Sequence, residues 1–307
     1  MDTVRQIRSL DLQPLGETRE ARSHARGVRR GTLLAAALLA AVGLAGPGAA
    51  QEGDGEDREV LPIVVQAIEH HGGDLYESTE SSFEIASASG AFRVEVRRDG
   101  GLYRHVVEGE TPDGLRRVTV TNDSVEVTVD GEPVRVQEDR EQGWRNHVDA
   151  RVWFPFLPYG LAGDGVYLHD RGLVEWPVEE GAGARELREV KVTFQPGSSS
   201  GAEDEYLFWF DLETGRMEQF AYSFAGGLRF RQAFDFRRVG GILFADNENY
   251  GVDGEGYRVD QVTPEFVAEE MELVSTIRLR DVEVEPVGDA TPEGGAAGGE
   301  HPVDSSP

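Results

Sequence analysis

The 307-residue chain carries 30 Lys plus Arg against 57 Asp plus Glu, a formal charge of −27, and has no cysteine and a single lysine, Lys191. So acidic a surface repels phosphate backbones and disfavours a nucleic-acid partner. The lack of cysteine excludes disulfides, thiolate metal sites, a cysteine nucleophile and a lipid-modified N-terminal cysteine.

Residues 1–30 hold seven arginines and four acids without apolar periodicity and lead into an apolar run from Thr32 to Ala45. That run is shorter than the roughly twenty residues a spanning helix needs. It is followed by Gly46-Pro47-Gly48-Ala49-Ala50-Gln51, small residues suited to cleavage after Ala50. Residues 1–50 are therefore expected to be a signal peptide removed on export, leaving a periplasmic or extracellular chain with no stable membrane insertion. Arg29-Arg30 suggests the twin-arginine route, but Val28 and Gly31-Thr32-Leu33 fit that pattern poorly, which favours general secretion. Cleavage would take the charge from −27 to −30.

Residues 51–58 are Gly-, Asp- and Glu-rich and read as a flexible lead-in to a single domain over 59–285. Val60, Ile63, Val64, Ala67 and Ile68 recur at helical spacing and end at His70-His71-Gly72-Gly73, which predicts an amphipathic helix over 59–71 with a glycine stop. Alternating segments follow at 83–87, 92–97, 102–107, 115–121, 125–129 and 133–136, with Asp130-Gly131 as a two-residue hairpin turn. A helix is expected over 140–153, stopped by Pro155 and Pro158 in an aromatic segment. Further strands are expected at 187–194, 205–211, 217–224, 228–236, 242–250 and 273–284. Residues 286–307, Gly-, Pro- and Glu-rich, read as a disordered acidic tail. The class is mainly β (α+β): a strongly curved antiparallel sheet or half-barrel of about a dozen strands wrapped around one or two helices.

The strand faces are rich in rings. Tyr206, Phe208 and Phe210 share one face of their strand; Phe220, Tyr222 and Phe224 share one of the next; Phe230, Phe234 and Phe236 are expected to share one of the third. With two helices to cover so much apolar sheet, the alternatives are an ordinary core or a curled sheet with an apolar pocket. The segment Trp153-Phe154-Pro155-Phe156-Leu157-Pro158-Tyr159-Gly160-Leu161 is either packed core or the lid of such a pocket. The candidate cavity and lid residues are thus Trp153, Phe154, Phe156, Leu157, Tyr159, Phe208, Phe210, Phe220, Tyr222, Phe234 and Phe236.

Several short motifs carry a resemblance through their order along the chain. They are His71-Gly72-Gly73 before Asp74-Leu75-Tyr76, the block Trp153 to Leu161, Asp211-Leu212-Glu213-Thr214-Gly215-Arg216 leading to Tyr222, and Arg237-Arg238-Val239-Gly240-Gly241-Ile242 leading to Asn249-Tyr250. In this the chain resembles an uncharacterised family of exported bacterial domains, itself similar in architecture to the periplasmic lipoprotein-localisation carriers. The resemblance implies a curved antiparallel sheet around helices that encloses an apolar cavity for acyl chains. It carries over no catalytic residue, and without cysteine this chain lacks the lipid anchor of the outer-membrane receptor in that system.

Chemical motifs are sparse. Adjacent histidines on a helix point about 100° apart, so Glu69-His70-His71 makes a poor metal site, and a histidine that complements the helix dipole is the simpler reading. His105, His147 and His169 show no ligand spacing. Asp246-Asn247-Glu248-Asn249 and Asp253-Gly254-Glu255-Gly256 read as solvated turns rather than calcium loops. No phosphate loop or zinc-protease helix is present. The reading is a non-enzymatic binding protein without cofactor or metal, whose partner is a hydrophobic small molecule or lipid, or an acylated protein. The alternatives are an acidic envelope scaffold with a filled core and, with least support, a carboxylate or histidine hydrolase.

Overall fold

A computed structural model of the protein describes residues 60–88, 90–177, 183–195, 204–224 and 226–287. The expected signal peptide, the lead-in over 51–58 and all but the start of the expected tail lie outside the described residues.

The chain enters through α1 (Pro62–His71), with a proline in its first turn, where no backbone donor is lost. Val64, Ala67 and His71 form its buried stripe. A 3-10 turn leads to six antiparallel strands, β1 (Thr79–Ser87), β2 (Gly90–Asp99), β3 (Leu102–Thr111), β4 (Gly114–Thr121), β5 (Val125–Val129) and β6 (Glu132–Val134), each beside its predecessor. The β5–β6 hairpin turns at Asp130 and Gly131, both in the left-handed region at φ 51° and 80°, as a two-residue turn between twisted strands requires.

The chain then crosses the sheet through α2 (Glu138–Trp153) and two 3-10 turns, Phe154–Phe156 and Tyr159–Ala162. α2 starts two residues earlier than expected, where Glu138, Asp139 and Glu141 place negative charge at the helix N-terminus. Seven strands return: β7 (Val166–Pro177), β8 (Ala184–Phe194), β9 (Tyr206–Asp211), β10 (Met217–Phe224), β11 (Gly227–Val239), β12 (Ile242–Asp253) and β13 (Glu272–Pro286). β13 pairs with both β12 and β1, which merges the two meanders into one open, curved sheet of 13 strands in the order β6-β5-β4-β3-β2-β1-β13-β12-β11-β10-β9-β8-β7.

Three elements depart from expectation. β7 has no counterpart in the strands expected from pattern, because it is an edge strand: most of its residues are exposed and a bulge at Asp170–Gly172 interrupts the alternation. A third helix, α3 (Pro264–Glu270), follows a 3-10 turn at Val259–Gln261. Its start is written as Thr263-Pro264, with the Thr263 hydroxyl accepting from the Phe266 N–H at 3.2 Å. Finally, β13 runs through Pro286, so the expected tail cannot begin there; the Val287 N–H still donates to the Ser78 carbonyl at 2.9 Å.

α1, α2 and the aromatic segment lie on one face of the sheet, called inner here, and the Val259–Gln261 turn and α3 cover the other face in the second half. β9 shows this most clearly. Tyr206, Phe208 and Phe210 join the inner core with α1 and Trp153, whereas Leu207 and Trp209 join the outer core with Val259, Val262 and Met271. The outer layer is pinned by Lys191 on β8, whose Nζ lies 2.7 Å from Asp260 and 2.9 Å from Glu205.

The β9–β10 turn meets α1 at Gly215, where φ is +74° and a Cβ would stand 2.9 Å from the Ala67 nitrogen and the Gln66 carbonyl carbon. Gly215→Ala is therefore expected to cost about 3 kcal/mol, strain plus a forced shift of α1. Gly100→Ala, also at positive φ (+56°) but facing open space, should cost about 1 kcal/mol. Denaturant midpoints of the two variants check the difference.

Candidate functional site

The inner face is filled by the segment after α2, and its side chains divide between the two halves of the sheet. Trp153 and Leu157 pack with β8, β9 and β10, and Phe154 packs against that cluster. Phe156 joins the first-half core with Tyr76, Phe83 and Phe244, and Tyr159 packs beside it. Phe154 stacks on Phe220 with centroids 5.6 Å apart and planes 16° apart, and Tyr159 stacks on Tyr76 at 4.7 Å. Both prolines are spent in segments without regular helix, where their missing N–H costs nothing.

Of the expected pocket residues, the structure brings together Trp153, Phe154, Leu157, Phe208, Phe210, Phe220 and Tyr222 in the second half, and places Phe156 and Tyr159 in the first. A cavity of about 20 Å³ remains between Phe154, Leu157, Met217, Phe220, Phe236 and Leu243. That is room for about one water. The aromatic face is thus occupied by the chain's own rings.

The three rings of β11 do not share a face as expected. Phe230 belongs to the outer core with Trp176 and Trp209, Phe236 lines the inner cavity, and Phe234 lies under the Arg278 guanidinium at 5.5 Å. A bulge between Phe234 and Arg237, with Asp235 at φ 49°, breaks the alternation. The buried Asp246 carboxylate braces this bulge, 3.0 Å from Arg237 and 3.3 Å from Arg278, and accepts from the Leu279 N–H at 3.0 Å.

With Phe230 facing outward, its neighbour Arg231 faces inward. Its guanidinium carbon lies 4.2 Å from the centre of the Phe154 ring, and its Nη2 donates to the Tyr222 hydroxyl at 3.3 Å. On the other side of the segment, Arg98 lies 5.0 Å over Phe156 and 5.1 Å over Tyr159, and burial pulls its pKa down to about 10. Two buried cations therefore hold the segment by its rings. Neither was expected from the sequence, although an arginine at an inward strand position is a visible signal once the buried face is known.

His71, expected as a charge at a helix end, is instead buried and neutral. Its Nε2 accepts from the Met217 N–H at 3.1 Å, and burial, aided by His70, Arg238 and Arg216, pulls its pKa down to about 3. This bond ties α1 to β10. His105 is buried with Nδ1 4.0 Å from Asp149, and its pKa is lowered mainly by burial. His147 packs edge-on to Trp144, and His169 bonds the Thr193 hydroxyl at 3.1 Å at the sheet edge. Among the described residues no three His, Asp or Glu side chains are placed to hold a metal ion. No described helix is long and apolar enough to cross a membrane.

Comparison with known proteins bears out the resemblance carried by the motifs. The model of a protein family of unknown function, DUF6503, matches residues 105–277, a span that holds the aromatic segment, the Asp211 turn and the β11–β12 hairpin. No curated protein matches the chain. Among solved structures, a LolA superfamily protein from Nitrosomonas europaea is 12% identical, with 72% of this chain and 91% of that chain covered and a TM-score of 0.40. A domain named for outer membrane lipoprotein sorting, from Vibrio parahaemolyticus, is 7% identical, with 74% and 93% covered and a TM-score of 0.43. A chain of the MucA/MucB complex of Pseudomonas aeruginosa is 12% identical, with 75% and 100% covered and a TM-score of 0.23.

Because the folded-state pKa of His71 lies below the ordinary 6.5, the unfolded chain takes up the proton first as pH falls. The stability from a neutral His71 is complete above about pH 6.5 and is lost progressively toward pH 3. Between pH 7.5 and 5 the wild type should lose about 2 kcal/mol more than His71→Gln, which keeps an acceptor for the Met217 N–H but does not titrate. Urea denaturation at the two pH values measures this, and equal losses would refute it.

Proposed function

We propose that this chain, which belongs to the DUF6503 family of unknown function, is an exported non-enzymatic binding protein that holds a hydrophobic ligand, a lipid or an acylated group, against the inner aromatic face of its sheet. In this reading the segment from Phe154 to Leu161 takes the ligand's place when the site is free. The observation that carries the reading is the kind of cover the face has. Phe220 and Tyr222 are covered by Phe154, which opens the first of two short 3-10 turns and remains partly exposed, while Phe208 meets Trp153 at the end of α2. Such turns have few internal hydrogen bonds to break and open at lower cost than a helix. Exit of the segment would expose a contiguous apolar face suited to acyl chains. The acidic skin weighs against direct attraction to an anionic membrane, so loading and delivery would run through the apolar segment or a protein partner.

A second reading has one observation in its favour. A cavity of about 20 Å³ is what a filled-core scaffold would show, with its acidic surface recruiting a basic envelope partner.

Titration of the delipidated chain with a fluorescent fatty acid separates the two. The binding reading expects saturable one-to-one binding. It also expects Phe154→Ala to raise the affinity several-fold, since a weakened plug leaves more of the chain competent to bind. Absence of saturable binding in both proteins would sink this reading and leave the scaffold.

A further inference from the structure

Arg231 sits where the proposed ligand would lie, and it lacks the partner that a buried arginine ordinarily has. It is 7% exposed. Its guanidinium carbon is 4.2 Å from the Phe154 ring centre, 5.5 Å from that of Phe220 and 5.6 Å from that of Tyr222. Phe154 and Phe220 also bound the cavity. Among the described residues no carboxylate lies within ion-pair distance of it, in a chain with 57 acids to 30 bases. Arg237 has Asp246 at 3.0 Å and Arg117 has Glu95 at 2.8 Å, whereas Arg151, over the Phe92 ring at 4.4 Å and likewise with an unpartnered Nε, lies away from the proposed site. Arg98, the cation on the far side of the segment, feels Glu77 and Asp149.

The surroundings of Arg231 are rich in donors. Its Nε has no hydrogen-bond partner, nor do the buried Tyr206 hydroxyl and the Trp153 indole N–H. Tyr206 joins these groups through its ring contacts, 5.4 Å to Trp153 and 5.5 Å to Tyr222. Asp204 and Arg231 both act electrostatically on the Tyr206 hydroxyl. Unpartnered buried donors are costly and uncommon. While Phe154 is in place, its ring face offsets part of the cation's desolvation. When Phe154 leaves, that contact is lost, and a guanidinium at the wall of an apolar site requires an anion.

We propose that the ligand is an anionic amphiphile, and that Arg231 receives its oxyanion head while the rings uncovered by the plug receive its apolar chain. This rests on the binding reading above and narrows it to a ligand class. A carboxylate suits the planar guanidinium as a two-point acceptor, and a phosphate monoester offers the same oxygens.

The test compares cis-parinaric acid with its methyl ester on the intact, delipidated chain at pH 7.5. The wild type should bind the acid about tenfold more tightly than the ester. Arg231→Gln should bring the ratio to near one with the ester affinity kept, Arg231→Lys should restore part of it, and Tyr206→Phe should lower it about twofold. Laurate and dodecyl phosphate, competed against the probe, tell which oxyanion is preferred, and dodecanol should compete least. Equal binding of acid and ester by the wild type overturns the head-group assignment and leaves the binding reading standing. An equal loss of both probes in Arg231→Gln assigns Arg231 to holding the plug and overturns the proposal as well. Failure of the wild type to bind either probe removes both readings. The wild-type ratio requires no variant to fold.

Discussion

β6 and β7 are consecutive in the chain yet lie at opposite edges of the sheet, so the connection between them has to cross an entire face. Everything on the inner side follows from that crossing. α2 covers the first half with Trp144, Val148 and Val152, four residues apart, and the aromatic segment runs on to meet the second, where α1 also packs. The prolines end the helix where the path must turn, and the side chains beyond it insert alternately into the two half-cores. The crossing segment is therefore the keystone of the fold.

A second constraint acts on the returning meander. β9 is buried on both faces, so its strands need a second cover, and the chain supplies it locally between β12 and β13. The single lysine is spent on fastening that cover, with both Glu205 and Asp260 within 3 Å. Most other ion pairs are exposed and add little stability each. The acid excess is mainly a solvated skin, whereas cations inside lie over rings, Arg98 and Arg231 on the aromatic segment, Arg116 on Trp144 and Arg151 on Phe92.

This arrangement lets charge and packing compete for the same residues. A guanidinium stacked on phenylalanine is stabilised less than one bonded to a carboxylate, and it keeps its hydrogen-bond directions open. Arg231 thus holds the Phe154 ring while its Nε stays without a hydrogen-bond partner. His71 works in the opposite sense: its one used nitrogen is fully committed to Met217, and burial keeps it neutral, which fixes α1 to the strand end beside the cavity.

The order of residues alone determined the antiparallel class, the two long helices, the Asp130-Gly131 hairpin and the rings of β9 and β10 as one buried set. These follow from local periodicity and turn chemistry, which act over a few residues. The edge strand β7 escaped because most of its residues are exposed and the bulge at Asp170–Gly172 moves its buried positions from one face to the other. Which face of β11 is buried was decided only by the tertiary structure. When a sheet is covered on both sides, alternation separates two faces without saying which is the inner one, and the bulge at Asp235 then exchanges them along the same strand. That decision turned Arg231 from a solvent-facing charge into a buried cation over the Phe154 ring, a change no local pattern could show because it depends on α3 and the Val259 turn covering the other side.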